Sequence, residues 1–274
     1  MTRTAIITGA ASGIGKATQA LLDERGYRTV GVDLAGSDID GDLSTPDGRT
    51  AAAHAALEAA GGSVDVVVAC AGISAPIAKT LSINYFGVTE FVEALRPALA
   101  ESDAPRVAVT SSFSSLQPTL PELVDALLAG DEELALQIGG AVEAQGPQAG
   151  FVNYSSSKRA ISRWIRRVAP TSEWAGAGIA VNAVGPGVVE TPMTAELLRD
   201  NKEMVDAQLP MPLNGHASAE TVAGVLAWLV SEENSHVTGQ TIFVDGGAEA
   251  LLRGDDIYSA LPDIGGEAAG DTPE

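Results

Sequence analysis

Tyr154 and Lys158 stand four residues apart in the stretch Asn153-Tyr154-Ser155-Ser156-Ser157-Lys158-Arg159-Ala160. That spacing puts both side chains on one face of a helix. The apolar residues that follow, Ala160, Ile161, Trp164, Ile165 and Val168, recur at helical spacing and predict that helix. An ammonium beside a phenol favours the phenolate, pulling its pKa down from about 10. The phenol then enters the range where a general base works. A Tyr-x-x-x-Lys pair also occurs on solvated helix faces, so its meaning depends on the rest of the chain.

A second set of residues could hold a phosphate. Gly9-Ala10-Ala11-Ser12-Gly13-Ile14-Gly15 follows the short apolar strand Arg3 to Thr8 and opens a helix through Leu22. A glycine turn between a first strand and a helix lets backbone N–H groups approach a pyrophosphate at the helix N-terminus. The same turn could be a plain strand–helix connection. A second strand, Tyr27 to Val32, ends at Asp33, 18 residues after Gly15. That is close to the offset of about 20 at which an acid grips the adenosine ribose hydroxyls. The carboxylate would repel a 2′-phosphate, and neither Ser12 nor Leu34-Ala35-Gly36 offers a cation, so NAD is favoured over NADP.

The elements that must position these groups alternate. Ile39 to Leu43 reads as a brief third strand carrying Asp42. A helix from about Pro46 to Ala60 follows, with Ser44 or Thr45 as its cap. Val64 to Cys70 is apolar except for Asp65, as in a strand buried on both faces of a parallel sheet, and Ala71-Gly72 ends it. A helix from about Ser82 to Ala100 carries Asn84, and strand Arg106 to Thr110 ends at Ser111-Ser112. Ile179 to Val184, helix 217–231 and strand Gln240 to Val244 complete the pattern. Strands alternating with helices predict an α/β fold, a Rossmann-type doubly wound parallel sheet with ligands at the strand carboxyl ends. Gly9, Asp33, Gly72 and Ser112 all fall at such ends.

Two stretches break the rhythm. In 113–150, Thr119 and Glu122 have capping-box spacing, Gly130 is a stop and Asp131 caps a second helix, so two short helices are inserted. In 188–215, Met193, Leu197, Met204 and Met211 populate a long connection. Every methionine but the first is there, which reads as an adaptable substrate lid, or as residues that pack the loop onto the core. The domain is expected to span 1–252, leaving 253–274, with six acids and one base, as a mobile acidic tail.

Bulk composition narrows the function. A net charge of −20 repels phosphate backbones, so neither nucleic acid nor an anionic membrane is expected as a partner. The single cysteine, Cys70, fits a reducing compartment. With no leader or long apolar span, a cytoplasmic protein is expected. His54, His216 and His236 are scattered without metal-ligand spacing, so no metal is expected. Cys70 reads as a buried strand residue, since no basic partner is near it in sequence.

Taken together over roughly 3–250, these residues resemble the short-chain dehydrogenase/reductase family. Thr8 to Gly15 is similar to its cofactor turn, Asp33 and Asp42 to its ribose- and adenine-side acids. Asn84, Ser112, Tyr154 and Lys158 resemble its catalytic tetrad, Pro186-Gly187 with Thr191 its carboxamide-binding segment, and Asp245-Gly246-Gly247 its closing strand. The resemblance implies a cofactor site that also includes Ser12, Ile14, Leu43, Ala71, Gly72 and Val189. It implies that Tyr154 exchanges the hydroxyl proton of an alcohol while hydride passes to or from NAD. Ser112, preferred over Ser111, would donate to the substrate oxygen, and Lys158 would bind the nicotinamide ribose. Asn84 would hold a water linking Lys158 to solvent.

Some features depart from the family pattern. Ala69-Cys70 stands where two amides normally brace the sheet, Gly72 to Asn84 is only 12 residues, and 42 residues separate Ser112 from Tyr154. The short connection and the insertion resemble the subgroup of bacterial 3α-hydroxysteroid dehydrogenases/carbonyl reductases and coniferyl-alcohol dehydrogenases. The implied substrate is a small hydrophobic alcohol or ketone. The inserted helices could flank the substrate mouth, or cover the helix faces 84–100 and 154–175 through which relatives form tetramers. The first leaves a homotetramer open, and the second predicts a homodimer through the last helix and strand. A non-catalytic NAD-sensing protein is the competing class, although such proteins usually lack the tyrosine or the lysine. An epimerase would require a larger C-terminal domain.

Overall fold

The computed structural model describes residues 2–258, in which strands and helices alternate. β1 (Thr4–Thr8), α1 (Gly13–Glu24), β2 (Arg28–Asp33), β3 (Ile39–Asp40), α2 (Pro46–Ala59) and β4 (Val66–Ala69) come first. Next, α3 (Lys79–Leu81), a π-helical segment (Ser82–Phe86) and α4 (Gly87–Leu99) follow one another without a break, before β5 (Arg106–Thr110). The insertion contains α5 (Pro121–Ala129), α6 (Glu132–Glu143) and α7 (Pro147–Gly150), and α8 (Val152–Val168) carries Tyr154. The remainder is β6 (Ala180–Pro186), β7 (Val189–Glu190), α9 (Ala195–Gln208), β8 (Ala217–Ser218), α10 (Ala219–Leu229), β9 (Thr241–Val244) and α11 (Ala248–Arg253).

Seven strands form one parallel sheet in the order β3-β2-β1-β4-β5-β6-β9. All of β1 is buried, because helices cover both faces. Its side chains alternate between two apolar cores, Ile6 in one and Ala5 and Ile7 in the other. The first core holds Ala52 and Ala56 of α2, Phe91 and Leu95 of α4, and Ile161 and Ile165 of α8. The second holds Leu22 of α1 and Val222 and Leu226 of α10. β1 pairs with β2 on one side and β4 on the other, so strand order reverses there and a crevice opens at the carboxyl ends.

Thr8 replaces the missing amides. Its carbonyl accepts from Cys70 N at 3.2 Å and its Oγ1 accepts from Ala71 N at 3.1 Å. Thr110 Oγ1 donates to Cys70 Sγ at 3.2 Å, and burial pushes that thiol up to about 11, so Cys70 is a poor nucleophile.

Several boundaries differ from the sequence expectation. β3 stops at Asp40, leaving Asp42 and Leu43 in a turn that Gly41 N anchors to Asp33 O at 2.7 Å. Thr45, not Ser44, caps α2, accepting from Gly48 N. Thr119 does not cap α5: Leu120 holds that position ahead of Pro121, and its N–H goes instead to Ser156 Oγ at 3.1 Å. Gly130 in the left-handed conformation and Asp131, accepting from Leu134 N, do separate α5 from α6. The insertion has a third short helix, α7, and a 3-10 turn at Phe113–Leu116. α8 ends at Val168, before Pro170, and not near 175. Arg253 belongs to α11, so the expected tail begins later; residues 259–274 of it lie outside the described residues.

Candidate active site

A cleft of about 360 Å³ runs along the carboxyl ends of the strands. Its phosphate end is the turn after β1. Gly9 has φ +71°, and a Cβ there would lie 2.8 Å from Ala71 N. A Cβ on Gly15 would lie 2.1 Å from Gly9 O, so α1 starts in direct backbone contact with the turn. This is a cradle that side chains would fill, open to a ligand whose phosphates accept from backbone N–H groups. Asp33 ends β2 and accepts from Ala11 N at 2.9 Å and Leu34 N at 2.7 Å, which fixes its carboxylate at the rim. Asp42 accepts from Ser44 N at 2.9 Å, and the Ser44 hydrogen bonds hold its carboxyl below the usual range. These residues have the chemistry a dinucleotide needs: Asp33 and Asp42 would suit its ribose and adenine, and the glycine turn would suit its phosphates.

The other end of the cleft is floored by α8. Tyr154 and Lys158 lie one helical turn apart, with Lys158 Nζ 5.9 Å from the tyrosine ring centre. Burial raises the Tyr154 phenol above its ordinary value, and a hydrogen bond with Ser112 opposes the rise. Burial also pushes the Lys158 ammonium down to about 8. The expectation that Lys158 lowers Tyr154 is therefore not met in the protein alone. Both groups share one desolvated floor, and each is shifted toward its neutral form. Lys158 Nζ donates to Thr110 O at 2.8 Å, leaving further N–H groups for the cleft.

Ser111 and Ser112 separate clearly. Ser111 Oγ is buried against Lys158 O at 3.1 Å and Ser162 Oγ at 2.8 Å, bracing β5 to α8. Ser112 Oγ accepts from Ser114 N at 3.1 Å and pairs with Tyr154. The three serines between Tyr154 and Lys158 are buried and each is satisfied. Ser155 donates to Pro118 O, Ser156 accepts from Leu120 N, and Ser157 donates to Tyr154 O. Ser155 and Ser156 pin the segment before α5 to α8, while the Ser157 bond stays within α8.

Asn84 sits inside the π-helical segment, fully buried. Its Oδ1 accepts from Ile73 N at 2.8 Å, and its Nδ2 donates to Ile73 O at 2.9 Å and Ser157 Oγ at 3.3 Å. It lies behind Gly72, where a Cβ would meet Asn84 Oδ1 at 3.0 Å and Lys158 Nζ at 3.6 Å. In this structure its amide clamps the loop after β4.

All the residues assigned to the cofactor line the cleft: Gly9, Ser12, Gly13, Ile14, Gly15, Asp33, Asp42, Leu43, Ala71, Gly72, Tyr154, Lys158, Pro186, Gly187, Val189 and Thr191. Thr191 closes over the glycine turn, its Cγ2 3.5 Å from where a Gly13 Cβ would stand. The structure divides the expected substrate lid. Of its four residues only Met193, 56% exposed, lines the cleft. Met211 is a strut whose Sδ accepts from Val188 N at 3.3 Å, and Leu197 and Met204 are exposed on α9, which is kinked at Asn201. The cleft also includes Lys79, Ile73 and Ile83, which sequence reasoning missed. They follow β4, where the connection is too short to fit the family spacing. No cluster of three potential metal ligands occurs among the described residues, and none of their helices is long and apolar enough to cross a membrane.

A family model described as short chain dehydrogenase matches residues 3–122, and one described as enoyl-(acyl carrier protein) reductase matches 135–249. Residues 123–134, between the matches, fall in the insertion. The chain is 36% identical over 256 residues to the 3-alpha-hydroxysteroid dehydrogenase/carbonyl reductase of Comamonas testosteroni, covering 90% of this chain and 97% of that one. It is 33% identical to the cis-4-hydroxycyclohexanecarboxylate dehydrogenase of Sinomonas cyclohexanicum, covering 91% and 97%. Among solved structures, the 3-alpha-hydroxysteroid dehydrogenase of Pseudomonas sp. B-0831, complexed with NADH, superposes with a TM-score of 0.83 at 36% identity, covering 91% and 98%.

Proposed function

The chain belongs to the short-chain dehydrogenase/reductase family, and from that premise we propose that it is an NAD-dependent oxidoreductase of hydrophobic secondary alcohols and their ketones, of the 3α-hydroxysteroid dehydrogenase/carbonyl reductase type. The observation that carries this reading is one cleft with Asp33 at its adenosine end and Tyr154, Ser112 and Lys158 at its reacting end.

The bound nicotinamide supplies the hydride acceptor in one direction and the donor in the other. Tyr154 Oη takes the hydroxyl proton of the alcohol, or returns it to a developing alkoxide. Ser112 donates to the same oxygen, where charge develops. Lys158 lends positive charge to the site and would hold the nicotinamide ribose, while its bond to Thr110 O fixes its direction. Asn84 holds Ile73, and with it the wall facing Tyr154.

Support for NAD over NADP is the fixed Asp33 carboxylate, which favours free ribose hydroxyls over a phosphate. Asp33→Ala is expected to weaken NADH binding about tenfold and narrow the gap to NADPH; an unchanged preference would refute that role. The apolar residues Ile73, Ile83 and Met193 on the cleft support a hydrophobic substrate. A cytoplasmic, homodimeric protein is part of the same reading. The test is NADH formation by the purified protein with a 3α-hydroxysteroid, coniferyl alcohol and cis-4-hydroxycyclohexanecarboxylate at matched concentrations. Steroid turnover well above the others is expected. Turnover confined to coniferyl alcohol would move the protein to aryl-alcohol oxidation, and none with any alcohol would favour an NAD-sensing role.

A further inference from the structure

Arg49 of α2 is 1% exposed and lies outside the tetrad. A buried guanidinium is tolerated only when paired and hydrogen-bonded. Here Nε donates to Leu43 O at 3.0 Å, and Nη2 donates to Ser82 O at 3.2 Å and Ser44 O at 3.4 Å. Glu132 binds the fork bidentately at 2.6 and 2.7 Å, and Glu90 binds it once at 3.1 Å. The guanidinium also lies 5.5 Å from the centre of the Phe86 ring. Burial alone would raise the Glu132 carboxyl, but its hydrogen bonds from Arg49 and Ser82 and the charge of Arg49 outweigh that and hold it low.

The partners belong to different parts of the site. Leu43 lines the adenosine wall of the cleft, and Ser82 opens the π-helical segment that holds Asn84 and Ile83. The two walls come together at Gly87, where an added Cβ would lie 3.0 Å from Leu43 O and 3.3 Å from Ser82 O. Glu132 is the first residue of the inserted helix α6. The same helix reaches the loop after β4 through Glu143, which accepts from Ala78 N at 2.8 Å. It reaches the residue before Tyr154 through Gly139 O, which accepts from Asn153 Nδ2 at 3.1 Å.

We propose that Arg49 is a positioning residue through which the inserted helix α6, acting by Glu132, sets the spacing between the Leu43 wall of the cofactor cleft and the segment that carries Asn84. The insertion is then part of the cofactor site's scaffold, and more than a cover for the helix faces beneath it. A planar fork suits this task because it holds several acceptors at fixed angles, which an ammonium does not.

The inference rests on the cleft being a dinucleotide site, and the experiment separates the two. NADH and AMP binding to the full-length parent, Glu132→Gln, Arg49→Lys and Glu90→Gln proteins would be measured by fluorescence titration and competition, beside thermal unfolding. The dissociation constants of Glu132→Gln and Arg49→Lys are expected to rise about tenfold for both ligands, since small displacements of a binding wall are felt strongly. Glu90→Gln, which loses a single, more solvated contact, should change less. Affinities within about twofold of the parent in both Glu132→Gln and Arg49→Lys, with only the unfolding midpoint lowered, would reduce Arg49 to a stabilising ion pair and overturn the inference. Loss of NADH binding in the parent itself would overturn the cofactor reading and this inference with it.

Discussion

At the scale of residues, Tyr154 and Lys158 are held in a floor that disfavours both of their charged forms. A phenol raised by burial must lose its proton before it can accept one from an alcohol. Oxidation is therefore expected to accelerate as pH rises from about 7 to 9, and Tyr154→Phe should remove nearly all turnover at every pH while NADH binding persists. Turnover above about a tenth of the parent's in that variant would remove Tyr154 from the reaction. Lys158 carries a stability consequence of opposite sign to its use. Its pKa falls from 10.5 to about 8 on folding, so the unfolded chain binds the extra proton between those values and stability increases with pH there. Below about 8 the cost of the buried ammonium is fully present. Lys158→Met should stabilise the cofactor-free protein by about 1–2 kcal/mol near pH 7, with the gain fading toward pH 10; thermal unfolding at the two pH values checks it. The residues that line the cleft were legible in the sequence because backbone shape and charge dictate their types at fixed offsets. Those offsets place Met193, Leu197, Met204 and Met211 in a connection, but only tertiary packing decides which of them faces the cleft.

At the scale of elements, a tight constraint lies where α1 meets the turn after β1. A Cβ on Gly15 would stand 2.1 Å from Gly9 O, a backbone atom that cannot turn aside. Gly15→Ala is expected to destabilise the protein by about 1–3 kcal/mol and to weaken NADH binding, as α1 shifts away from the turn. Unfolding and titration of the variant measure both, and a tight, stable variant would mean the turn is elastic. Strands were readable because burial on both faces makes them apolar throughout, as in Val66–Ala69. The π-helical segment was not, because one extra residue in a helix leaves no compositional mark, yet it is what turns Asn84 toward Ile73. The cap of α5 was misplaced because the N-cap position falls on Leu120, which has no capping side chain, and Ser156, distant in sequence, takes its N–H. The third inserted helix, α7, carries little periodicity in its four residues.

At the scale of the whole molecule, the insertion decides which surfaces remain for a second copy. Ser155 and Ser156 tie the segment before α5 onto α8, and α6 lies against Leu81 and Asn153. Leu251 and Leu252 of α11 are left 60% and 51% exposed, and Trp228 of α10 37%. Exposed apolar side chains on the last helices favour association there. Light scattering is expected to give a dimer mass, weakened by Leu251→Glu with Leu252→Glu; a tetramer would mean that the covered faces still associate. The doubly wound parallel sheet followed from the alternation of strands and helices, but the contacts of the insertion did not, because they join residues far apart in the chain. That separation has a further consequence in time. Glu132 follows Arg49 by 83 residues. At about 5–20 residues per second a ribosome takes roughly 4 to 17 seconds to deliver it. Through that interval the nascent first half holds a cation without its bidentate partner, so the full set of contacts around Arg49 forms only after the insertion has emerged.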